Sequence, residues 1–140
     1  MADTRFAGSA LTIRPQYHFR QVEGQIHIWF VPNLVRLVAQ QTPIELPLSA
    51  IAEIDEPYWY AATGGTPTVR SVAEHGRQIA EADLAYPILL CPDLRVIDGM
   101  HRVAKAMMSG AATISAVVLP SLPPPEYINK HPDDLPYDRG

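Results

Sequence analysis

Cysteine is nearly absent from the sequence, and long apolar runs are missing. The single Cys91 has no second cysteine in the chain to pair with, which suits a reducing compartment. No window approaches the run of about eighteen apolar residues that a membrane-spanning helix needs, and the first residues lack the apolar segment of a secretory signal. These absences predict a cytoplasmic protein without a membrane partner.

Basic residues are also few. Eleven Lys and Arg stand against fifteen Asp and Glu, which gives a formal net charge of -4 at pH 7. Proteins that coat nucleic acid carry a basic surface, so this balance argues against DNA as a partner and leaves room only for a local basic pocket. The lone cysteine and scattered histidines show no zinc-ligand spacing, and nothing in the sequence points to haem or flavin.

Apolar residues, by contrast, are plentiful. They make up 47% of the 140 residues, and charged residues make up 19%; these values are typical of one globular domain. The pattern divides the chain into an N-terminal arm (residues 1–14), a domain (15–120) and a C-terminal tail (121–140). The tail is so rich in proline that we expect it to be irregular and to lie on the surface.

The spacing of apolar residues predicts the order of elements. An alternating stretch around Glu23-Gly24 predicts a two-residue hairpin. The remaining predicted elements are a helix (32–41), an edge strand (43–48), a loop (55–68), a helix (68–84), two strands (86–92 and 94–98), a helix (99–110) and a strand (113–120). This order predicts the α+β class, with a mixed β-sheet packed with helices in a single domain.

The segment "VIDGMHRVAKAMMSG" collects polar groups at a strand-to-helix corner. A helix that starts near Gly99 leaves its first N–H groups without partners and carries partial positive charge there. Such a corner binds phosphate or carboxylate. Arg102 adds a forked donor, and His101 adds a group that titrates near neutral pH.

Asp98 does not suit a simple anion site, because its carboxylate repels a phosphate. It is explained if it holds a magnesium ion, accepts a proton from a hydroxyl group, or pairs with Arg102. The plainer alternative is that Asp98 is only the N-cap of the helix. The sequence leaves these alternatives open.

The stretch "RVIDGMHRVAKA" resembles the signature of the ParB/sulfiredoxin superfamily, in which a strand runs into a G-x-H-R or G-x-R-R turn that opens a helix. The turn from Asp98 to Arg102 is similar to that of the free serine kinases in this superfamily. The resemblance covers about residues 86–119. Sulfiredoxins carry their catalytic cysteine where this chain has Met100, and a thioether cannot attack a phosphate, so their chemistry is not expected.

The resemblance implies a ParB/sulfiredoxin-like fold that binds a nucleotide, such as ATP or CTP with magnesium. Gly99, Met100, His101 and Arg102 would grip the phosphates. Asp98 and His101 would act in catalysis, and Asp98 would also be the metal ligand.

Other candidates lie before this corner. Thr68 and Arg70 would form a second phosphate contact at the start of the preceding helix; the alternative is that Arg70 belongs to a solvated helical face. The acid that the family places near its N-terminus has three candidates: Glu53, Asp55 and Glu56. Asp55 and Glu56 precede the aromatic cluster Tyr58-Trp59-Tyr60, which would be either a lid over a ligand or an anchor for the loop.

The helix after Thr68 is expected to pack on the core. Its apolar side chains recur at helical spacing, which predicts an inward face made of Val69, Val72, Ala73, Ile79 and Ala80. His75 lies between Arg70 and Arg77 in the sequence, and we expect it to be exposed.

Three functions remain open. The first is a nucleotide- or phosphate-binding protein acting as a magnesium-dependent phosphotransferase or nucleotide hydrolase on a phosphorylated small molecule. The second is a non-catalytic module that senses a ligand or docks a protein. The third, a ParB-like nuclease, follows only from the superfamily's label. The sequence does not decide whether the protein is an enzyme, and its edge strand and loop aromatics are compatible with a homodimer.

Overall fold

The strands of the protein divide between two β-sheets. A computed structural model describes residues 16–61 and 65–137. The strands are β1 (Tyr17–Val22), β2 (Gln25–Phe30), β3 (Ile44–Pro47), β4 (Ile88–Leu90), β5 (Val96–Asp98), β6 (Thr113–Val118) and β7 (Tyr127–Ile128). The helices are α1 (Val31–Leu37), α2 (Tyr58–Ala61), α3 (Val69–Glu81) and α4 (Met100–Met108). Short 3-10 turns cover Leu48–Ala50, Ala52–Asp55 and Pro132–Asp134.

The first sheet is antiparallel, in the order β1-β2-β7, and the second is mixed, in the order β3-β6-β4-β5. In the second sheet β4 runs parallel to β6, whereas the other pairs are antiparallel. The predicted α+β class and single domain are confirmed, and β3 lies at the sheet edge as expected. None of the helices in the described ranges is long and apolar enough to cross a bilayer.

The predicted hairpin is confirmed, with Val22 opposite Gln25 across a two-residue turn. Glu23 and Gly24 both have positive φ, at 51° and 81°. Two-residue hairpin turns with positive φ at both positions match the twist of the strands that they join. The turn chemistry therefore sets the register between β1 and β2.

The tail is more regular than its prolines predict. Tyr127–Ile128 form β7 and pair with His27 and Ile28 of β2, and Leu135 is buried. The prediction of an irregular tail is therefore wrong for β7, because the consecutive prolines precede the strand and leave its ladder intact. The predicted arm, residues 1–14, lies outside the described residues.

Helix α4 packs its apolar side on the second sheet. Met100, Val103 and Ala106 are buried in one cluster with Ile88 and Leu90 of β4. The helix ends as predicted, because Gly110 follows it with φ of 77°, the left-handed conformation that commonly terminates helices. This packing fixes the corner between β5 and α4 against β4.

Helix α3 buries none of its side chains. Val69 and Val72 are 90% and 56% exposed, so the prediction of an inward apolar face is wrong, although Ile79 is half-buried. The apolar residues do recur at helical spacing on an observed helix. The spacing alone does not show whether another part of the protein covers that apolar face. Polar contacts hold the end of the helix instead, where Lys105 Nζ donates to the carbonyl oxygens of Ala80 (2.9 Å) and Ala82 (2.6 Å).

A buried imidazole–thiol pair joins the two sheets. His18 Nε2 lies 3.4 Å from Cys91 Sγ. Burial, with the nearby Arg20 charge, lowers the pKa of His18 from 6.5 to about 4. Burial also raises the pKa of the Cys91 thiol to about 11. Both groups are therefore neutral at pH 7, which is the form expected of a packing contact rather than of a reactive thiolate.

We expect His18 to make the fold sensitive to acid. Between about pH 6.5 and pH 4 the unfolded chain protonates His18 and the folded chain does not, so stability falls as pH falls. The contribution lost by pH 4 is about 2–3 kcal/mol. Urea denaturation at pH 7, 5.5 and 4 measures it, and His18→Gln should show a shallower loss. Equal losses in the two proteins would contradict the assignment.

Candidate functional site

A cavity of about 640 Å³ opens where β5 ends and α4 begins. All five residues of the predicted turn, 98–102, line it. The remaining lining residues come from Gln16, from Tyr58 and Trp59 of α2, from Arg77, Gln78, Glu81 and Ala82 at the end of α3, and from Tyr86 and Ile97. The structure thus gathers the predicted corner around one opening and adds a wall from α3.

Gly99 has the tightest steric requirement in the turn. It is the N-cap residue of α4, in the left-handed region with φ of 109°, and its carbonyl oxygen accepts from the N–H groups of Arg102 and Val103. A Cβ at this position would lie 2.7 Å from Ile88 Cγ2. Backbone conformation and close packing on β4 both require glycine here. The alternative that Asp98 is the N-cap is wrong.

Asp98 is held by two side chains. Its Oδ2 lies 3.1 Å from Arg102 Nη2 in an ion pair, and its Oδ1 accepts a hydrogen bond of 2.9 Å from Gln16 Nε2. The two paired side chains are only 15% and 16% exposed. Of the explanations that the sequence leaves open for Asp98, the ion pair with Arg102 is the one present in this structure.

Arg102 also ties the corner to the start of β4. Its Nη1 donates to the carbonyl oxygens of Pro87 (2.5 Å) and Tyr86 (3.3 Å). Both ends of its guanidinium therefore bind groups of the chain itself. Arg102 lines the cavity, but its first effect is to fasten the turn to the strand beside it.

His101 belongs to a three-ring cluster that the sequence did not suggest. Its Nε2 lies 2.8 Å from Nδ1 of His75 on α3. The Trp59 indole stacks on both imidazoles, at centroid distances of 4.3 Å to His75 and 4.7 Å to His101. The prediction that His75 is exposed is wrong, because this contact half-buries it. The cluster joins α2 and α3 to the first turn of α4.

None of the three candidate acids lines the cavity. Glu53 is buried and accepts from the backbone N–H of Val96 at 2.5 Å, and Tyr58 donates to the Val96 carbonyl oxygen at 2.8 Å. Burial raises the pKa values of both Glu53 and Tyr58. Asp55 and Glu56 are exposed. This segment therefore closes the free edge of β5, which supports the interpretation of the loop as anchored.

Thr68 and Arg70 do not line the cavity. Thr68 is the N-cap of α3: its Oγ1 accepts from the Ser71 N–H at 3.1 Å, and Ser71 Oγ accepts from the Thr68 N–H at 3.0 Å. This reciprocal capping box satisfies two donors at the helix start. Arg70 is exposed in the first turn of the helix. The sequence signal at Thr68 is therefore accounted for by helix capping.

We expect Thr68→Ala to loosen α3 without changing the cavity. Loss of such a cap costs about 1 kcal/mol, which is about a fivefold change in a local opening equilibrium. Amide hydrogen exchange along α3 measures this opening, and Thr68→Ser is the matched control because it keeps the accepting hydroxyl. Unchanged exchange in the alanine variant would contradict the capping role.

A magnesium ion held by protein side chains fits the site poorly. The described residues contain no group of three or more His, Cys, Asp or Glu able to hold a metal. Both oxygens of Asp98 are already engaged, one of them by a cation. Magnesium commonly binds through substrate phosphates and water, with one or two carboxylates, so any magnesium is expected to arrive on the phosphates of a ligand.

No protein-family model matches the chain, and comparison with curated proteins and with solved structures found no match either.

Proposed function

We propose that the protein binds a phosphorylated small molecule, namely a nucleotide, in the cavity between β5 and α4. The observation that carries this proposal is that the whole turn from Asp98 to Arg102 lines one cavity together with aromatic side chains. A cavity of about 640 Å³ falls in the usual size range of small-molecule sites. The start of α4 offers partial positive charge to phosphate.

The phosphates and the base of a nucleotide each have complementary groups in the cavity. The first turn of α4 and a guanidinium group in the cavity wall suit phosphate oxygens. Tyr58 and Tyr86 line the cavity with ring surface of the kind on which a base packs, and Trp59, which stacks on His75 and His101, lines it beside them. These features support a nucleotide over an ion without an aromatic part.

The same proposal includes a fold similar to that of the ParB/sulfiredoxin superfamily. It is supported by the order of β5, the glycine turn and α4, which matches the strand, turn and helix of the quoted signature. A cytoplasmic location belongs to the proposal as well, and the buried, unpaired Cys91 is compatible with it.

Phosphoryl transfer or nucleotide hydrolysis would make Asp98 the acceptor of a hydroxyl proton and place His101 beside the phosphates. Such a reaction depends mostly on positioning and charge neutralisation. Asp98→Asn should then keep binding and stop turnover.

A second candidate, a binding module without turnover, is favoured by the engagement of both Asp98 oxygens. Nucleotide binding with no product formed after prolonged incubation would select this second candidate.

A thermal-shift panel tests the proposal. The ligands are ATP, ADP, CTP, GTP and inorganic phosphate, each with and without magnesium. A ligand at about a hundred times its dissociation constant adds roughly 2.7 kcal/mol to stability, which a melting curve detects. We expect a nucleotide to stabilise the protein and phosphate alone to do so less.

Blocking variants locate the effect. Gln78→Trp fills the cavity from α3 and should abolish the shift, whereas Ala73→Trp, exposed on the same helix and outside the cavity, should keep it. No shift with any of the nucleotides would contradict the proposal, and so would an unchanged shift in Gln78→Trp.

A further inference from the structure

Helix α3 lies beside the cavity although it buries no side chain. Helices in proteins gain most of their stability by packing an apolar face, and the attachments seen here are polar contacts and the stacking of Trp59 on His75. His75 bonds His101 near the middle of the helix, and Lys105 binds the carbonyl oxygens at its end. These contacts present the polar residues between them to the cavity.

Two guanidinium groups line the cavity, and they differ in what they already bind. Arg102 is engaged by Asp98 and by two carbonyl oxygens. Arg77 is exposed, and within residues 16–61 and 65–137 no carboxylate lies within 4.0 Å of its guanidinium.

Glu81 lies one turn further along α3 and lines the same cavity without pairing with Arg77. An arginine four residues before a glutamate is the weaker orientation for a helical ion pair. The Arg77 guanidinium therefore keeps its donors for another acceptor.

We infer that Arg77, rather than Arg102, is the arginine that binds the phosphate of the ligand. The inference rests on the proposed nucleotide binding and names the residue that supplies its cation. A phosphate between the start of α4 and Arg77 receives the helix dipole on one side and a forked charged donor on the other. Arg102 keeps its bonds to Asp98, Tyr86 and Pro87 in the complex.

Isothermal titration with ATP, ADP, CTP and GTP, each with magnesium, tests this assignment. Arg77→Ala should weaken binding about 10- to 100-fold, the range for one lost charge-assisted pair of hydrogen bonds. The affinity of Arg77→Lys should lie between those of the wild type and Arg77→Ala, because lysine keeps the positive charge and loses the forked pair of donors. Arg70→Ala is the matched control on the same helix and should stay within about twofold, since its exposed charge is screened.

The outcomes separate this inference from the proposed function. If the wild-type protein binds a nucleotide and Arg77→Ala binds it equally well, the inference is wrong and the proposed function stands. If Arg70→Ala weakens binding as much as Arg77→Ala, the effect is one of general charge, and the inference is again wrong. If the wild-type protein binds none of these four nucleotides, both the inference and the proposed function fail. Both arginines are exposed, so melting temperatures should match the wild type and exclude misfolding.

Discussion

We expect Arg102→Met to lower the free energy of unfolding by about 3–5 kcal/mol, the cost of removing one partner from a largely buried ion pair. The variant leaves the Asp98 carboxylate without its cation in a place where it is only 16% exposed. The carbonyl oxygens of Tyr86 and Pro87 lose their donor as well. An ion pair exposed to solvent contributes only about 0–1 kcal/mol. A larger loss of stability in Arg102→Met would therefore show that burial makes the partner's charge costly to leave unpaired.

A double-mutant cycle separates the ion pair from the carbonyl contacts. Asp98→Asn with Arg102→Met removes both charges and should be less destabilised than the sum of the two single variants. Urea denaturation gives the four stabilities. A loss under about 0.5 kcal/mol in Arg102→Met, which is typical of a surface substitution, would contradict the fastening role. The measured stabilities also matter for binding studies. A partly unfolded Arg102 variant would fail to bind the ligand even if Arg102 makes no contact with it.

Gly99→Ala should cost about 3 kcal/mol, through two separate effects. The added Cβ would lie 2.7 Å from Ile88 Cγ2, and Ile88 is fully buried in the core and cannot move away freely. Overpacking of this kind costs about 1–3 kcal/mol. The φ of 109° adds strain that an L side chain rarely accepts.

Two other glycines serve as comparisons, one with the backbone strain alone and one with neither effect. Gly110 has φ of 77° and open space around it, so Gly110→Ala should cost only the backbone part, about 1–2 kcal/mol. Gly76 lies inside α3 with nothing near its position, and Gly76→Ala should raise helix stability by about 0.5–1 kcal/mol. Equal losses for Gly99→Ala and Gly110→Ala would show that the contact with Ile88 carries no cost.

Local patterns predicted the elements well where local chemistry sets them. Glu23-Gly24 fixed a hairpin because few sequences accept positive φ at both turn positions. Thr68 and Gly110 marked helix ends through capping. The strand, glycine and helix around Gly99 were all foreseen, and the five corner residues do line one cavity. These features depend on residues that are close in sequence.

Contacts between distant residues could not be predicted. His75 and His101 are 26 positions apart in the sequence, and their hydrogen bond joins two helices. Nothing in the sequence near either histidine indicates that the other is its partner. Glu53 covers the edge of β5 across 43 positions, although three neighbouring acids looked equivalent in sequence. The face of α3 was misjudged for the same reason, since periodicity identifies an apolar face and tertiary structure decides whether it is covered.

The central claim is that a nucleotide binds at the start of α4, and amide chemical shifts test it most directly. A titration of labelled protein with the nucleotide that gives the largest thermal shift is followed residue by residue. We expect the largest changes at Gly99, Met100 and His101, with a second group at Arg77 and Gln78 on the cavity wall. Changes confined to β1, β2 and β7, with the β5–α4 corner unmoved, would contradict it.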